Sequence, residues 1–253
     1  MEHIELLLFF FLIAFIYASV GFGGGSSYIA ILALYELPFK EIKLTALICN
    51  IIVVTGGTLV FIRNKNVNWK KILPIAIVSV PMAFWGATQK ISENTFFIVL
   101  GVSLVIAAIL LWIRTKSIEN GAPIREEKNF ARDGIIGGGI GFLSGMVGIG
   151  GGIFLSPLLN LLKWDTAKKI AATASFFILV NSIAGIAGQV SSLNVKLDYT
   201  RILMLAAAVL AGGQLGSRIG ALRFNSLVIR RVTALLVFYA GCEVLFKHLP
   251  WFK

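Results

Sequence analysis

The chain has 253 residues, 57% of them hydrophobic and only 14% charged, with a mean hydropathy of +0.87 and a net charge of +11. A soluble domain carries roughly 25% charged residues. Here the charges gather between long apolar stretches, which excludes a soluble globular domain in favour of an all-α polytopic membrane protein. The basic excess comes without RNP, zinc-finger or helix-turn-helix patterns, so it reads as topology and membrane-lipid contact, with no nucleic-acid partner.

The first predicted helix covers Ile4–Val20. Met1 to Glu5 carries two acids and no Lys or Arg, and no A-x-A-like site follows, so this is a mature membrane helix and not a signal peptide. Next comes the run Val20-Gly21-Phe22-Gly23-Gly24-Gly25, and then predicted helices Ser26–Glu36, Leu44–Ile62, Ile72–Thr88 and Phe96–Ile113. A charged linker follows, then Gly134–Val147. The glycine run returns 127 residues on as Val147-Gly148-Ile149-Gly150-Gly151-Gly152, ahead of Ile153–Leu162, Ala171–Val190, Ile202–Leu215 and Val228–Phe246. The order long, short, long, long, long therefore occurs twice. Thr45-Ala46 aligns with Thr173-Ala174, and Gly57 with Gly185. The boundaries are a first membrane repeat over 1–115, a linker over 116–133 and a second repeat over 134–253.

Each short helix has about ten residues, or about 15 Å, half the hydrocarbon core. Each long–short pair is thus a glycine-broken hairpin that returns the chain to its starting side, whether re-entrant or fully spanning. Three further crossings follow, an odd number, so the second repeat is inverted relative to the first. With this topology 16 of the 23 Lys and Arg fall on the linker's side and 7 on the other. The positive-inside rule then puts linker 114–133 in the cytoplasm and both termini outside.

The apolar helices hold almost no ionisable groups, Glu243 being the one acid inside a late helix. No nucleophile–base pair and no metal-ligand spacing occurs, and Cys49 and Cys242 are isolated in apolar runs, so neither an enzyme nor a cofactor is expected. What remains favours anions. A helix N-terminus presents unpaired N–H groups and about +0.5 elementary charge, and glycines let a ligand approach the backbone. Two such N-termini, at Gly23, Gly24, Gly25 and at Gly150, Gly151, Gly152, would converge near the midplane, as in transporters built on broken helices. Ser26 and Ser27 add hydroxyls, with Ser144 and Ser156 as weaker candidates. Asn50 shares a face with Gly57, Asn181 shares one with Gly185 and Gly188, and both amides are neutral donors suited to an anion. Thr45, Thr173 and Gln214 complete the candidate set. The competing reading of each is an interhelical hydrogen bond.

The duplicated V-G-x-G-G-G, each copy followed by an apolar half-helix and a Thr-led long helix, resembles the sulfite exporter TauE/SafE family over Phe11 to Phe246. That resemblance implies a multi-pass transporter in the inner membrane of a prokaryote, acting on sulfite, sulfoacetate or related small anions. Pro157 fits a proline that the family often carries after the glycines, whereas Ala30 holds that place in the first half. The expected function is a secondary transporter of small sulfur-containing anions by alternating access. An anion channel, a non-sulfur carboxylate substrate and a scaffold without flux stay open. The expected partners are a small anionic substrate and membrane lipid, with a homodimer as an open assembly.

Overall fold

Apolar runs too long for one turn and free of strand alternation leave the backbone one way to satisfy its polar groups in lipid, the α-helix. The structure, a computed structural model, describes residues 4–19, 21–35, 37–117, 129–191, 197–223 and 226–248. Val20, Glu36, most of the linker, Lys196 and Lys253 lie outside these residues.

Among the described residues ten helices occupy the predicted places: α1 (Glu5–Ser19), α2 (Gly25–Leu34), α3 (Phe39–Arg63), α4 (Trp69–Thr88), α5 (Glu93–Ser117), α6 (Phe130–Val147), α7 (Gly152–Leu161), α8 (Ala167–Val190), α9 (Tyr199–Arg223) and α10 (Ser226–His248). Five of them, α3, α4, α5, α8 and α9, contain stretches long and apolar enough to cross a membrane. Ile135, Leu203 and Tyr239 are exposed on the outside of the bundle, as lipid-facing residues are. The protein is a multi-pass membrane protein.

Helices α3, α4 and α6 begin ahead of their predicted starts, where charged or capping residues find partners. The α3 helix starts at Phe39, not Leu44, and Glu41 in its first turn accepts from Arg201 of α9 at 3.0 Å. The α6 helix starts at Phe130, where the Asn129 side chain caps the Arg132 N–H and Asp133 accepts from Trp164 Nε1 at 2.9 Å. Lys71 at the start of α4 pairs with Asp165 at 3.2 Å.

Small residues set the packing. Gly137, Gly141 and Gly145 line one face of α6 at four-residue spacing, and a Cβ on each would strike the carbonyl of Ile75, Ser79 or Ala83 on α4. The two backbones therefore run parallel and in close contact. Gly212 and Gly216 of α9 lie the same way on the Phe11 and Phe15 carbonyls of α1. By contrast α3 and α8 are antiparallel. Thr58 Oγ1 meets Ser175 Oγ at 2.9 Å, while Leu47 Cδ1 lies 3.2 Å from where a Cβ on Gly185 would stand. A single crossing for each glycine-linked pair would make α3 and α8 parallel, so the directions fit the hairpin.

The packing relations also come in matched sets. The α1–α9 contact corresponds to α6–α4, α3–α9 to α8–α4, α2–α3 to α7–α8, and α2–α10 to α7–α5. The α3–α8 and α5–α10 contacts are their own counterparts.

Candidate functional site

A glycine turn is needed ahead of α2 and of α7 because the residue before each helix is left-handed. Gly24 has φ 85° and Gly151 φ 77°, a region that costs other L-residues roughly 1–2 kcal/mol. A left-handed residue followed by a helical one turns successive N–H groups inward, a concavity suited to anions. Among the described residues, the N–H groups of Gly24, Gly25 and Ser26 have no hydrogen-bond partner, nor do those of Gly151, Gly152 and Ile153. The first bonds of each helix are made by Ser27 and Tyr28 to Gly24 O, and by Phe154 and Leu155 to Gly151 O.

Both turns close on one side chain. Asn50 is fully buried near the middle of α3. A Cβ on Gly23 would overlap its Oδ1, and a Cβ on Gly25 would overlap its Nδ2. That same Nδ2 donates to the Ile149 carbonyl of the second turn at 3.2 Å and would lie 2.9 Å from a Cβ on Gly150. The Asn50 amide thus sits between the two half-helix N-termini, at the mid-height of the long helices. Its Oδ1 is buried without a partner among the described residues.

Repeat alignment explains the rest of the lining. Gly23 meets Asn50 and Val54, whereas Gly150 meets Ile178 and Ser182. Ile178 therefore stands where Asn50 stands in the other half, and Ser182 where Val54 stands. Among the described residues the Ser182 and Ser144 hydroxyls are buried and unpartnered, and both side chains lie beside the second turn, against Gly150 and Gly151 respectively. The Tyr28 hydroxyl, likewise unpartnered, lies 3.0 Å from a Cβ on Gly24. Ser182 and Tyr28 were not among the sequence candidates. Extending the Gly57–Gly185 alignment outward by three residues, which pairs Val54 with Ser182, would have found the first.

The structure brings Gly23, Gly25, Gly150 and Asn50 together, with Gly24, Gly151, Gly152 and the buried Ser26 adjoining. Other candidates point elsewhere. Asn181 donates to Ser79 Oγ of α4 at 3.1 Å and to Phe177 O at 2.8 Å. Ser27 Oγ pairs with Tyr17 OH at 2.7 Å. Thr173 donates back to Lys169 O at 2.9 Å. Thr45 is buried five residues before Asn50, about 140° around the helix. Gln214 lies over Gly56, its Nε2 2.8 Å from a Cβ placed there. No cluster of His, Cys, Asp and Glu able to hold a metal occurs among the described residues.

The chain is similar to proteins named probable membrane transporters. It is 34% identical over 247 residues to the probable membrane transporter protein y4hK of Sinorhizobium fredii, covering 96% of this chain and 98% of that one. It is 26% identical to YunE of Bacillus subtilis over 78% of each chain, and 26% identical to YdhB of the same organism over 95% and 99%. Both of these are also named probable membrane transporter proteins. No solved structure matches the chain. The model of the sulfite exporter TauE/SafE family matches residues 6–244, and with two glycine turns closed on one buried amide the chain belongs to that family of membrane transporters.

Proposed function

We propose that the protein is a secondary transporter of small sulfur-containing anions, sulfite or an organosulfonate such as sulfoacetate, working by alternating access. The observation that carries this reading is the Asn50 amide held between two glycine turns whose N–H groups lack partners among the described residues. An oxyanion there takes unpaired backbone donors from both half-helices, at the positive ends of two helix dipoles, without needing a buried cation. The anion displaces Asn50 Nδ2 from the Ile149 carbonyl, so binding loosens a bond between the two halves.

The antiparallel α3–α8 pair and the matched packing relations support two repeats of inverted topology, which rock against each other around the site. The Lys and Arg distribution supports a cytoplasmic linker and external termini in the inner membrane of a prokaryote. Counterflow tests the reading. Proteoliposomes are preloaded with sulfite, sulfoacetate, thiosulfate or sulfate, and uptake of labelled sulfite is followed. Uptake accelerated by at least one internal anion is expected. No acceleration by any of them, from folded protein, would reject a sulfur-anion carrier.

A further inference from the structure

Above the second glycine turn, at the end of the bundle where α3 begins and α4 ends, lies a cavity of about 250 Å³. Three lysines line it: Lys40 and Lys43 from α3, and Lys90 from the α4–α5 turn. Thr88, Gln89 and Gln189 add polar groups, and none of the lining residues is acidic. The nearby Glu41 is held by Arg201.

Lys43 is the unusual member. Its side chain is 5% exposed, yet among the described residues its ammonium has neither a carboxylate nor a hydrogen-bond acceptor. Its neighbour is the Phe96 ring, 5.6 Å from Nζ. A lysine this deep is almost always paired. The stem rests on Gly148, with Lys43 Cβ 3.2 Å from where a glycine Cβ would stand, so the residue adjoins the start of the second turn. Lys43 also precedes Asn50 by seven residues, two turns and about 10 Å along the same face. The position matching Lys43 in the other half carries no charge. Ala171 takes the place of Lys43, and the Phe61 ring closes over Gly21, both 3.6 Å from a Cβ on that glycine.

We propose that this lysine-lined cavity is a capture site for small oxyanions, with Lys43 passing the anion to the glycine turns. The proposal rests on the anion-carrier reading above and adds a sidedness to it. Anions are collected at the bundle end where Lys43 lies buried beside the second turn; at the opposite end Lys168 takes the place of Lys40, but Ala171 takes that of Lys43. A lipid phosphate shares the chemistry of a soluble oxyanion, and vesicle composition separates the two.

The test uses the full chain in phosphatidylcholine vesicles and in vesicles containing phosphatidylglycerol, with labelled sulfite as the probe. Lys43→Met is expected to raise the half-saturating sulfite concentration about tenfold, as loss of one charged partner does, with the maximal rate held within about twofold in both lipids. Lys43→Arg should recover most of the affinity. An unchanged half-saturation would overturn the proposal. So would an effect confined to phosphatidylglycerol vesicles, which would mark a headgroup site.

A second readout needs no sulfite flux. In Thr88→Cys protein lacking Cys242, a sulfonate-bearing methanethiosulfonate should react faster than its trimethylammonium counterpart once each rate is divided by that with a free thiol. Lys43→Met should lower that ratio about fivefold, the order expected for removing one nearby charge from a partly solvated site. If wild-type protein moves no sulfite, the carrier reading fails while this ratio still decides whether the cavity gathers anions. A ratio unmoved by Lys43→Met overturns the capture site in either case.

Discussion

Replacing Asn50 by Ile gives the first half the kind of side chain that the second half carries at Ile178, over an equivalent glycine turn. The fold should therefore accept its shape. The cost comes from the Ile149 carbonyl, which loses its 3.2 Å donor and stays buried; an acceptor stranded in this way costs about 1–3 kcal/mol. Removal of the buried, unpartnered Oδ1 offsets part of that, leaving a net destabilisation of about 1 kcal/mol. Binding loses more. A hydrogen bond to a charged group contributes about 1.5–3 kcal/mol, which is about 10- to 150-fold in affinity. Half-saturation in sulfite counterflow, measured beside a thermal melt in detergent, reads both quantities. A small fall in melting temperature with a rise in half-saturation of tenfold or more is expected. Folded Asn50→Ile protein whose half-saturation stays within twofold of wild type would refute the placing of the anion at Asn50.

Asn50→Asp keeps the shape and puts a carboxylate among the same N–H groups, so it should abolish flux while the protein still purifies as a folded species. Gly24→Ala forces a left-handed alanine whose Cβ would lie 2.9 Å from Tyr28 Cζ; it should cost about 1–3 kcal/mol in a melt and lower the maximal rate. Gly141→Leu would drive a side chain into the Ser79 carbonyl and separate α4 from α6, and the expected outcome is loss of monodisperse protein in size-exclusion chromatography. Ser175→Ala removes the Thr58 contact between α3 and α8; a loss of about 0.6 kcal/mol with unchanged transport kinetics is expected.

The helices were legible because each is an apolar run bounded by charges or glycine. Their ends were less so. Lys40, Glu41 and Lys43 look like loop residues in sequence, yet they form the first turns of α3, one bonded across to Arg201 and one laid along Gly148. The site was legible in part. The glycine runs and Asn50 stand out because polarity and backbone freedom are rare in such apolar sequence. Asn181 carried the same signal and faces α4 instead, since the position over the second turn is taken by Ile178. Side-chain type marks a residue as exceptional but does not say which neighbour it meets. The α6 glycines at four-residue spacing show this too: their contact with α4 depends on which helix the fold brings alongside.

In the proposed carrier one anion lies between the two glycine turns. Selenite, the heavier congener of sulfite, tests it most directly by anomalous diffraction from crystals of the protein. A single strong selenium peak is expected between Gly23–Ser26 and Gly150–Ile153, within hydrogen-bonding reach of Asn50 Nδ2. Selenium bound at the surface only, with Asn50 still donating to Ile149, would contradict it.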